Sequence, residues 1–194
     1  MYLDIALLID QETQNSIRKL ILKLHIEYGL ELVAALLPQH ISLKSSFTLK
    51  NIDEIETYFD NLAVSLEPVD FKLQNIELIN FEKKGIMNEV IWIDVEENSD
   101  LRNIHKKVNR DLKDKFDIPL SPFDGDMFHF HSTLFYRFNN QTPMEIYEKA
   151  FQDLKEKHIG SNCRSSEIAL FCSPMQREKI FGTSIVYKVL PLGM

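Results

Sequence analysis

The chain has 194 residues and a formal net charge of −7, with 44% hydrophobic and 26% charged residues. This length fits one domain, or two small lobes that share one core. Proteins that bind long nucleic acid usually carry a basic face, so the acidic balance argues against a long duplex as partner and favours a small or terminal phosphate substrate.

The sequence shows no sign of export or of membrane insertion. Residues 1–10 lack a basic start, and Asp4 interrupts their apolar run. No stretch approaches the ~18 apolar residues of a membrane helix. Cys163 and Cys172 lie in what reads as one extended segment, which would hold them roughly 30 Å apart and beyond disulfide reach. These features predict a cytoplasmic protein with free cysteines. We also expect a monomer, although no feature of the sequence determines the oligomeric state.

The spacing of apolar residues predicts alternating strands and helices. Residues 2–9 read as a buried strand, Asp10 as the N-cap of a helix, and Gly29 as its end. A strand at 40–49 precedes a helix that begins at Asp53. The remaining predicted elements are strands at 69–81 and 89–95 joined by a turn at 82–85, a helix at about 100–115 capped by Ser99, a loop at 116–127, a strand at 128–138, a helix capped by Thr142, and strands at about 165–172 and 183–190.

The two halves of the chain repeat one order of elements: a helix, a strand, a helix and two further strands. In each half the first of these strands carries the pattern His-x-Ser/Thr-Leu. The repetition predicts an internal duplication with lobes at about 1–97 and 98–194, and it leaves open an exchange of strands between them.

Chemistry is predicted from the two motifs, residues 40–43 (His-Ile-Ser-Leu) and 131–134 (His-Ser-Thr-Leu). Residues two apart on a strand point to the same face, so each motif presents an imidazole beside a hydroxyl. The hydroxyl can bind a phosphate oxygen, and the imidazole can move a proton near neutral pH. Two such strands facing each other supply a base and an acid on opposite sides of one phosphorus, as in-line phosphodiester cleavage requires. Either motif alone has a high false-positive risk, whereas the matched pair favours catalysis.

Several residues beside the motifs allow both a functional and a structural interpretation. Lys44 and Arg137 share the parity of the motifs and are candidates to hold phosphate, the alternative being a solvated strand edge. Phe135 shares the face of His131 and is a candidate to stack a base, although an aromatic residue on a strand is more often part of the core. Tyr136 is predicted on the opposite face.

The other histidines are assigned more weakly. His129 lies two residues before His131, where it could orient a group of the site or form a metal site with His131. No cysteine and no second histidine-rich element supports a metal, so the prediction is that none is bound. His25, His105 and His158 are predicted on helix surfaces.

These motifs resemble those of the two-histidine (2H) phosphoesterase superfamily, and within it the 2′-5′ RNA ligase-like and cyclic phosphodiesterase proteins. The similarity covers nearly the whole chain. It implies an α+β fold, bilobal and duplicated, in which two antiparallel sheets flanked by helices enclose a central cleft. It also implies a hydrolase of RNA processing that needs no cofactor or metal and cleaves 2′,3′-cyclic or 2′-5′ phosphates of a small nucleotide or RNA terminus.

Carried over by position, the resemblance makes His40 and His131 catalytic and makes Ser42 and Thr133 phosphate ligands. His129, Lys44, Phe135, Tyr136 and Arg137 are the further candidates for substrate binding. Two positions depart from the family pattern: Phe130 stands where a proline often precedes the second histidine, and Tyr136 where an arginine often follows, with Arg137 one residue later.

A binding module of the same fold, which senses nucleotide or RNA ends without cleaving them, is the alternative function. The intact pairs of histidine and hydroxyl favour an enzyme, because binding alone would not require two proton carriers. The sequence does not determine which histidine is the base.

Overall fold

The computed structural model describes residues 1–83, 86–121, 124–137, 142–157, 162–173 and 184–194, with the side chains at 45, 81–83 and 86–88 left out. The described helices are α1 (Gln11–Tyr28), α2 (Ile52–Ser65), α3 (Ser99–Phe116) and α4 (Met144–Lys155), with a short 3₁₀ helix at Val33–Leu36. The described strands are β1 (Tyr2–Leu8), β2 (His40–Thr48), β3 (Val69–Lys83), β4 (Ile86–Glu96), β5 (His131–Arg137), β6 (Asn162–Ser165), β7 (Glu167–Ser173) and β8 (Ile185–Pro191).

The strands form two four-stranded sheets. Sheet A has the order β2-β1-β7-β8, and sheet B has the order β5-β4-β3-β6. Every pairing in both sheets is antiparallel. This arrangement confirms the predicted α+β class with two antiparallel sheets.

The two halves of the chain exchange strands between the sheets. Sheet A takes β1 and β2 from the first half and β7 and β8 from the second, whereas sheet B joins β3 and β4 to β5 and β6. Each sheet therefore combines strands from residues 1–97 with strands from residues 98–194. The order of elements along the chain predicts a duplication but not the pairing, because strands distant in sequence can share a sheet.

The helix ends agree with the prediction at α1 and differ by one or two residues elsewhere. The Asp10 side chain accepts a hydrogen bond from Thr13 N at 2.9 Å, and Gly29 ends the helix at φ +69°. In α2 and α3 the caps are Asn51 and Asn98, which accept from Asp53 N and Leu101 N. Asparagine is as good an N-cap as the predicted aspartate and serine. In both helices the asparagine that lies upstream of the predicted cap is therefore the N-cap. The N-cap of α4 is Pro143 where Thr142 was predicted.

Two of the differences between predicted and observed strands concern the second motif and the cysteines. The strand expected at 128–138 begins only at His131; before it Phe128 O accepts from Arg102 Nη2 at 2.9 Å, while Phe130 O still accepts from Val95 N of β4 at 3.0 Å. The segment that holds both cysteines is broken at Ser166 into β6 and β7, which lie in different sheets. Cys163 and Cys172 are free, as predicted. Residues 84 and 85 of the predicted turn lie outside the described residues.

One large apolar core joins the two sheets and the helices. It includes Ile17 and Leu24 of α1, Leu43 of β2, Phe135 of β5 and Leu170 of β7, all essentially inaccessible to solvent. A second, small cluster lies on the other face of sheet A; its buried members are Ala6, Leu8, Ala169 and Phe171. None of the described helices is long and apolar enough to cross a membrane.

The prediction that His105 lies on a helix surface is wrong. His105 is fully buried in α3 and stacks on Phe128 with ring centroids 4.1 Å apart. Among the described residues neither of its ring nitrogens has a hydrogen-bond partner. Burial lowers the pKa of His105 to about 4, so the ring is neutral at physiological pH and packs as an aromatic side chain. His25 is half-buried at the end of α1, and His158 lies outside the described residues.

Candidate active site between the two histidine motifs

The two motif strands are the outer strands of their sheets, and they contact each other. β2 ends the order of sheet A, and β5 ends that of sheet B. A buried hydrogen bond joins the residues beside the two histidines: Ser132 Oγ donates to Gln39 Oε1 at 2.9 Å. His40 is also near enough to His131 for its charge to lower the pKa of that ring. The structure therefore brings the two predicted motifs together.

Both histidines are held by the same local hydrogen bond. His40 Nδ1 lies 2.8 Å from Pro38 O, and His131 Nδ1 lies 3.0 Å from His129 O. A carbonyl oxygen only accepts, so each Nδ1 carries the hydrogen and donates it. In the neutral rings this leaves the lone pair on Nε2, and a protonated ring would present an Nε2–H donor. Each imidazole is thus oriented to exchange a proton through Nε2.

The hydroxyls of the motifs share a sheet face with the histidines. Along β2, His40 pairs with Leu8 and Ser42 pairs with Ala6, with no irregularity between them. Along β5, His131 pairs with Asp94 and Thr133 with Trp92. All four motif side chains are half-buried, whereas the residues between them, Ile41 and Ser132, are buried. We call these two faces, which carry the imidazoles and hydroxyls, the motif faces.

Both motif strands contain a β-bulge at the leucine of the motif. In sheet A the pairing passes from Ser42 to Lys44 and leaves Leu43 without a partner position. In sheet B it passes from Thr133 to Phe135 and skips Leu134 in the same way. A bulge reverses the alternation of the residues that follow it. The trailing leucine of each motif, fully buried in both cases, therefore marks where the strand turns its next side chain away from the motif face.

The bulges overturn the predicted roles of Lys44 and Phe135. The Lys44 ammonium is buried in an ion pair with Asp124 and donates to Pro119 O at 3.2 Å. Phe135 is completely buried in the core. Neither side chain is available to a ligand on the motif face, because the bulge shifts each of them to the opposite face of its strand.

Arg137 is also buried, contrary to its predicted role in holding phosphate. Its Nη1 lies 2.7 Å from Glu89 Oε2, and its Nε donates to Thr142 O at 2.6 Å. The same bulge in β5 accounts for this placement. The guanidinium joins β5 to β4 and to the start of α4 and faces away from the motif histidines.

Each motif histidine packs on an aromatic side chain that the sequence did not single out. The His40 ring meets Phe171 of β7 edge-on at 4.8 Å, and the His131 ring stacks on Trp92 of β4 at 4.1 Å. These contacts depend on the register between strands, which no local pattern in the sequence specifies. They restrict the rotation of both imidazoles.

Comparison with known proteins identifies the family of the chain. The model of the 2′-5′ RNA ligase superfamily matches residues 11–171, most of the chain and both motifs. The chain belongs to the 2′-5′ RNA ligase superfamily. No curated protein matches it.

Solved structures with the fold of this superfamily member are distant in sequence. The TT0787 protein of Thermus thermophilus is 15% identical with a TM-score of 0.63, and the comparison covers 100% of this chain and 98% of that one. LigT of E. coli in complex with NADP+ is 15% identical with a TM-score of 0.57, at the same coverage. LigT in complex with 3′-AMP is 14% identical with a TM-score of 0.53, again at the same coverage. These likenesses show that the whole chain adopts the fold.

Tyr136 lies on the motif face. Its ring is half-buried, and its Oη lies 3.5 Å from Thr133 Oγ1. From the sequence alone Tyr136 is predicted on the face opposite to His131. The bulge at Leu134 brings it to the motif face instead. A phenol hydroxyl therefore stands beside the second motif.

Acidic residues flank the second motif in this superfamily member. His129 Nε2 lies 2.6 Å from Asp94 Oδ1, and Asp94 is the strand partner of His131. Burial raises the pKa of Glu77, and the neighbouring Asp94 raises it further. Ligand atoms of Glu77, Asp94 and His129 all lie within 4.8 Å of one another, a mixed set that could hold a divalent ion. From the sequence alone, His129 and His131 are the candidates for such a site, and neither carboxylate is predicted to take part.

The electrostatic surroundings of His131 favour its neutral form. The pKa of its ring is lowered to about 4, chiefly by burial and to a lesser extent by the nearby imidazoles of His129 and His40. The hydrogen bond to His129 O and the Asp94 carboxylate act in the opposite direction without cancelling this effect. At pH 7 His131 therefore carries an unprotonated Nε2, the form required of a general base.

A cavity of about 820 Å³ lies elsewhere, beside the first turns of α1. Its lining includes Asp10, Thr13, Asp70 and Arg164 but none of the predicted site residues. Arg164 is already paired with Asp70 at 2.9 Å. The carboxylates in the lining make this cavity poorly suited to bind a phosphate.

Proposed function

We propose that the protein is a metal-independent phosphodiesterase that acts on 2′,3′-cyclic or 2′-5′ phosphates of nucleotides or RNA ends. The observation that carries this proposal is the pair of matching motifs, each with a hydroxyl beside an imidazole whose Nδ1 is tied to a carbonyl. Membership of the 2′-5′ RNA ligase superfamily supports a phosphoesterase or ligase-like enzyme. Structures of LigT in complex with 3′-AMP, NADP+ and phosphate show that proteins of this fold accommodate such ligands.

In the proposed mechanism His131 is the base and His40 the acid. The neutral Nε2 of His131 takes a proton from the water that attacks phosphorus. The Nε2–H of protonated His40 gives a proton to the ribose oxygen that leaves, so a cyclic phosphate opens to a monoester and a free hydroxyl. Ser42 and Thr133 donate hydrogen bonds to the non-bridging oxygens and stabilise the charge of the transition state. In the direction of ligation the two imidazoles exchange roles.

The charges near the site support a substrate with a single reacting phosphate. Lys44 and Arg137, the cations predicted to hold phosphate, are used in buried ion pairs. Asp94 and Glu77 place negative charge beside the second motif. A chain of further phosphates along that side would be repelled, which favours a short nucleotide or an RNA terminus over a long duplex.

Turnover of defined phosphodiesters tests the proposal. The panel consists of the four 2′,3′-cyclic nucleotides, 2′-5′-linked dinucleotides, ADP-ribose cyclic phosphate and matched 3′-5′ dinucleotides as controls. We expect multiple turnovers on at least one cyclic or 2′-5′ compound and none on the 3′-5′ controls. Binding without turnover across the panel would contradict the enzyme and favour the binding module.

Exhaustive chelation is expected to leave the rate on the best substrate within about twofold, because the proposed chemistry uses only imidazoles and hydroxyls. The measurement is the initial rate after dialysis against EDTA, with and without added Mg²⁺, Mn²⁺ or Zn²⁺. The variant Asp94→Asn, which weakens the only mixed carboxylate–histidine set found among the described residues, serves as the control. Loss of activity on chelation that a divalent ion restores, and that Asp94→Asn reproduces, would show that the reaction depends on a metal.

A further inference from the structure

We propose that the buried hydrogen bond between Ser132 and Gln39 sets the position of the two histidine motifs relative to each other, so that both are positioning residues of the catalytic pair. This inference rests on the proposed function. Ser132 is the middle residue of the second motif, and Gln39 directly precedes His40. Neither residue touches the proposed substrate site, since both side chains point away from the motif faces.

The bond has an ordinary length, and both of its ends are buried. Ser132 Oγ lies 2.9 Å from Gln39 Oε1, and the two residues are 1% and 2% exposed. It joins residues 93 positions apart in the sequence, one from each motif. A buried hydroxyl or amide that loses its partner pays the full cost of desolvation, so the pair resists separation.

Each end of the bond is fixed to its own sheet. Gln39 O accepts from Ile9 N at 3.1 Å, at the end of β1. Ser132 is paired with Ile93 in the ladder between β5 and β4. The bond therefore connects sheet A to sheet B, and it does so one residue away from each imidazole.

The position of the bond matters because the two imidazoles belong to different sheets. Within one motif the backbone fixes the histidine beside its hydroxyl, but among the described strands no backbone pairing joins β2 to β5. The separation of the two proton carriers depends on contacts between sheets. Acid–base catalysis on one phosphorus tolerates little error, since a misplacement of about 1 Å can cost roughly 10²-fold in rate.

A double-mutant cycle tests the inference with kcat and KM on the best substrate of the panel. Ser132→Ala and Gln39→Met each remove the bond, and we expect each to lower kcat roughly 10–100-fold while KM changes less. The double variant should be no slower than the slower single variant, because the bond can be lost only once. Ser132→Thr keeps the hydroxyl and should restore most of the rate. Both limbs of the pH profile should remain in all variants.

A matched control separates positioning from general stability. Thr142 Oγ1 donates to Glu31 Oε1 at 2.6 Å in another bond between distant segments, which involves no residue of either motif. Thr142→Val should lower the unfolding temperature by a similar amount yet leave kcat within about twofold, with rates measured well below every unfolding temperature. Additive effects in the cycle, or an unchanged kcat in Ser132→Ala with an active wild type, would overturn the positioning role.

If the wild-type protein shows no turnover, the inference needs a readout other than kcat. An inactive wild type would defeat the enzyme and not by itself the positioning role. In that case the affinity for inorganic phosphate, followed by NMR of the His40 and His131 imidazoles, replaces kcat as the readout. Unchanged phosphate affinity across the cycle would then overturn the inference, and a non-additive loss would support it.

Discussion

Replacement of either motif histidine by alanine is expected to slow hydrolysis of a cyclic phosphate roughly 10²–10⁴-fold, the usual contribution of a general acid or base. Both imidazoles present Nε2 and are held through Nδ1, so each variant removes one proton transfer and leaves the other in place. The measurement is kcat/KM for wild type, His40→Ala and His131→Ala. A near-normal rate in His40→Ala would make the first motif structural.

The pH profile should assign the two roles. The base must be unprotonated, so the rate rises with pH through the pKa of His131, which burial lowers to about 4. The acid must be protonated, so the rate falls as pH rises through the pKa of His40. The wild-type profile of kcat/KM from about pH 3 to 9 should therefore be a bell, broad on its acidic side.

Each histidine variant should lose one limb of this bell. His131→Ala should lose the acidic limb, and His40→Ala the basic limb. Ser42→Ala and Thr133→Ala are the matched controls: they should slow the reaction but keep both limbs, because their hydroxyls do not titrate in this range. If His131→Ala loses the basic limb instead, the assignment of base and acid is reversed.

The Lys44→Met variant is expected to lower the free energy of unfolding by about 3–5 kcal/mol, the cost of leaving one charge of a buried ion pair without its partner. Lys44 and Asp124 are both buried, so the remaining carboxylate would have little access to water. The measurement is urea unfolding at pH 7. Replacing Asp124 by leucine in the same chain should recover part of the loss, because it removes the unpaired charge.

The Lys106→Met variant provides the control for an exposed pair. Lys106 and Asp126 lie 2.9 Å apart with both side chains more than half exposed, and such pairs contribute about 0–1 kcal/mol. If Lys44→Met were as stable as Lys106→Met but had a raised KM, Lys44 would contact the substrate, as its parity in the sequence suggested. We expect the opposite result.

The motifs themselves could be predicted from the sequence, because they depend on local rules. The two-residue period of a strand places His40 beside Ser42 and His131 beside Thr133, and no irregularity intervenes within either motif. The two-residue period no longer holds beyond the leucine of each motif. The bulges at Leu43 and Leu134 have no distinctive residue, such as a glycine, that would mark them in the sequence.

Other parts of the site depend on strand register, which the sequence does not encode locally. Trp92, Asp94 and Glu77 lie on strands that were predicted correctly, yet nothing in their own segments shows that β4 pairs with β5. His105 shows a related limit. The apolar stripe of α3 was recognised, but the residue beside Ile104 becomes buried only because residues 128–130 pack across the helix.

The exchange of strands between the halves affects how the chain must fold. β1 lies between β2 and β7, and more than half of the chain separates β2 from β7. During synthesis the β3–β4 hairpin can form soon after it emerges, because its contacts are local, whereas sheet A waits for its last two strands. Until then one edge of β1, with the buried side chains of Ile5 and Leu7 beside it, is unpaired and open to wrong partners. Sheet A contains the motif that is synthesised first, yet it is the last sheet to be completed.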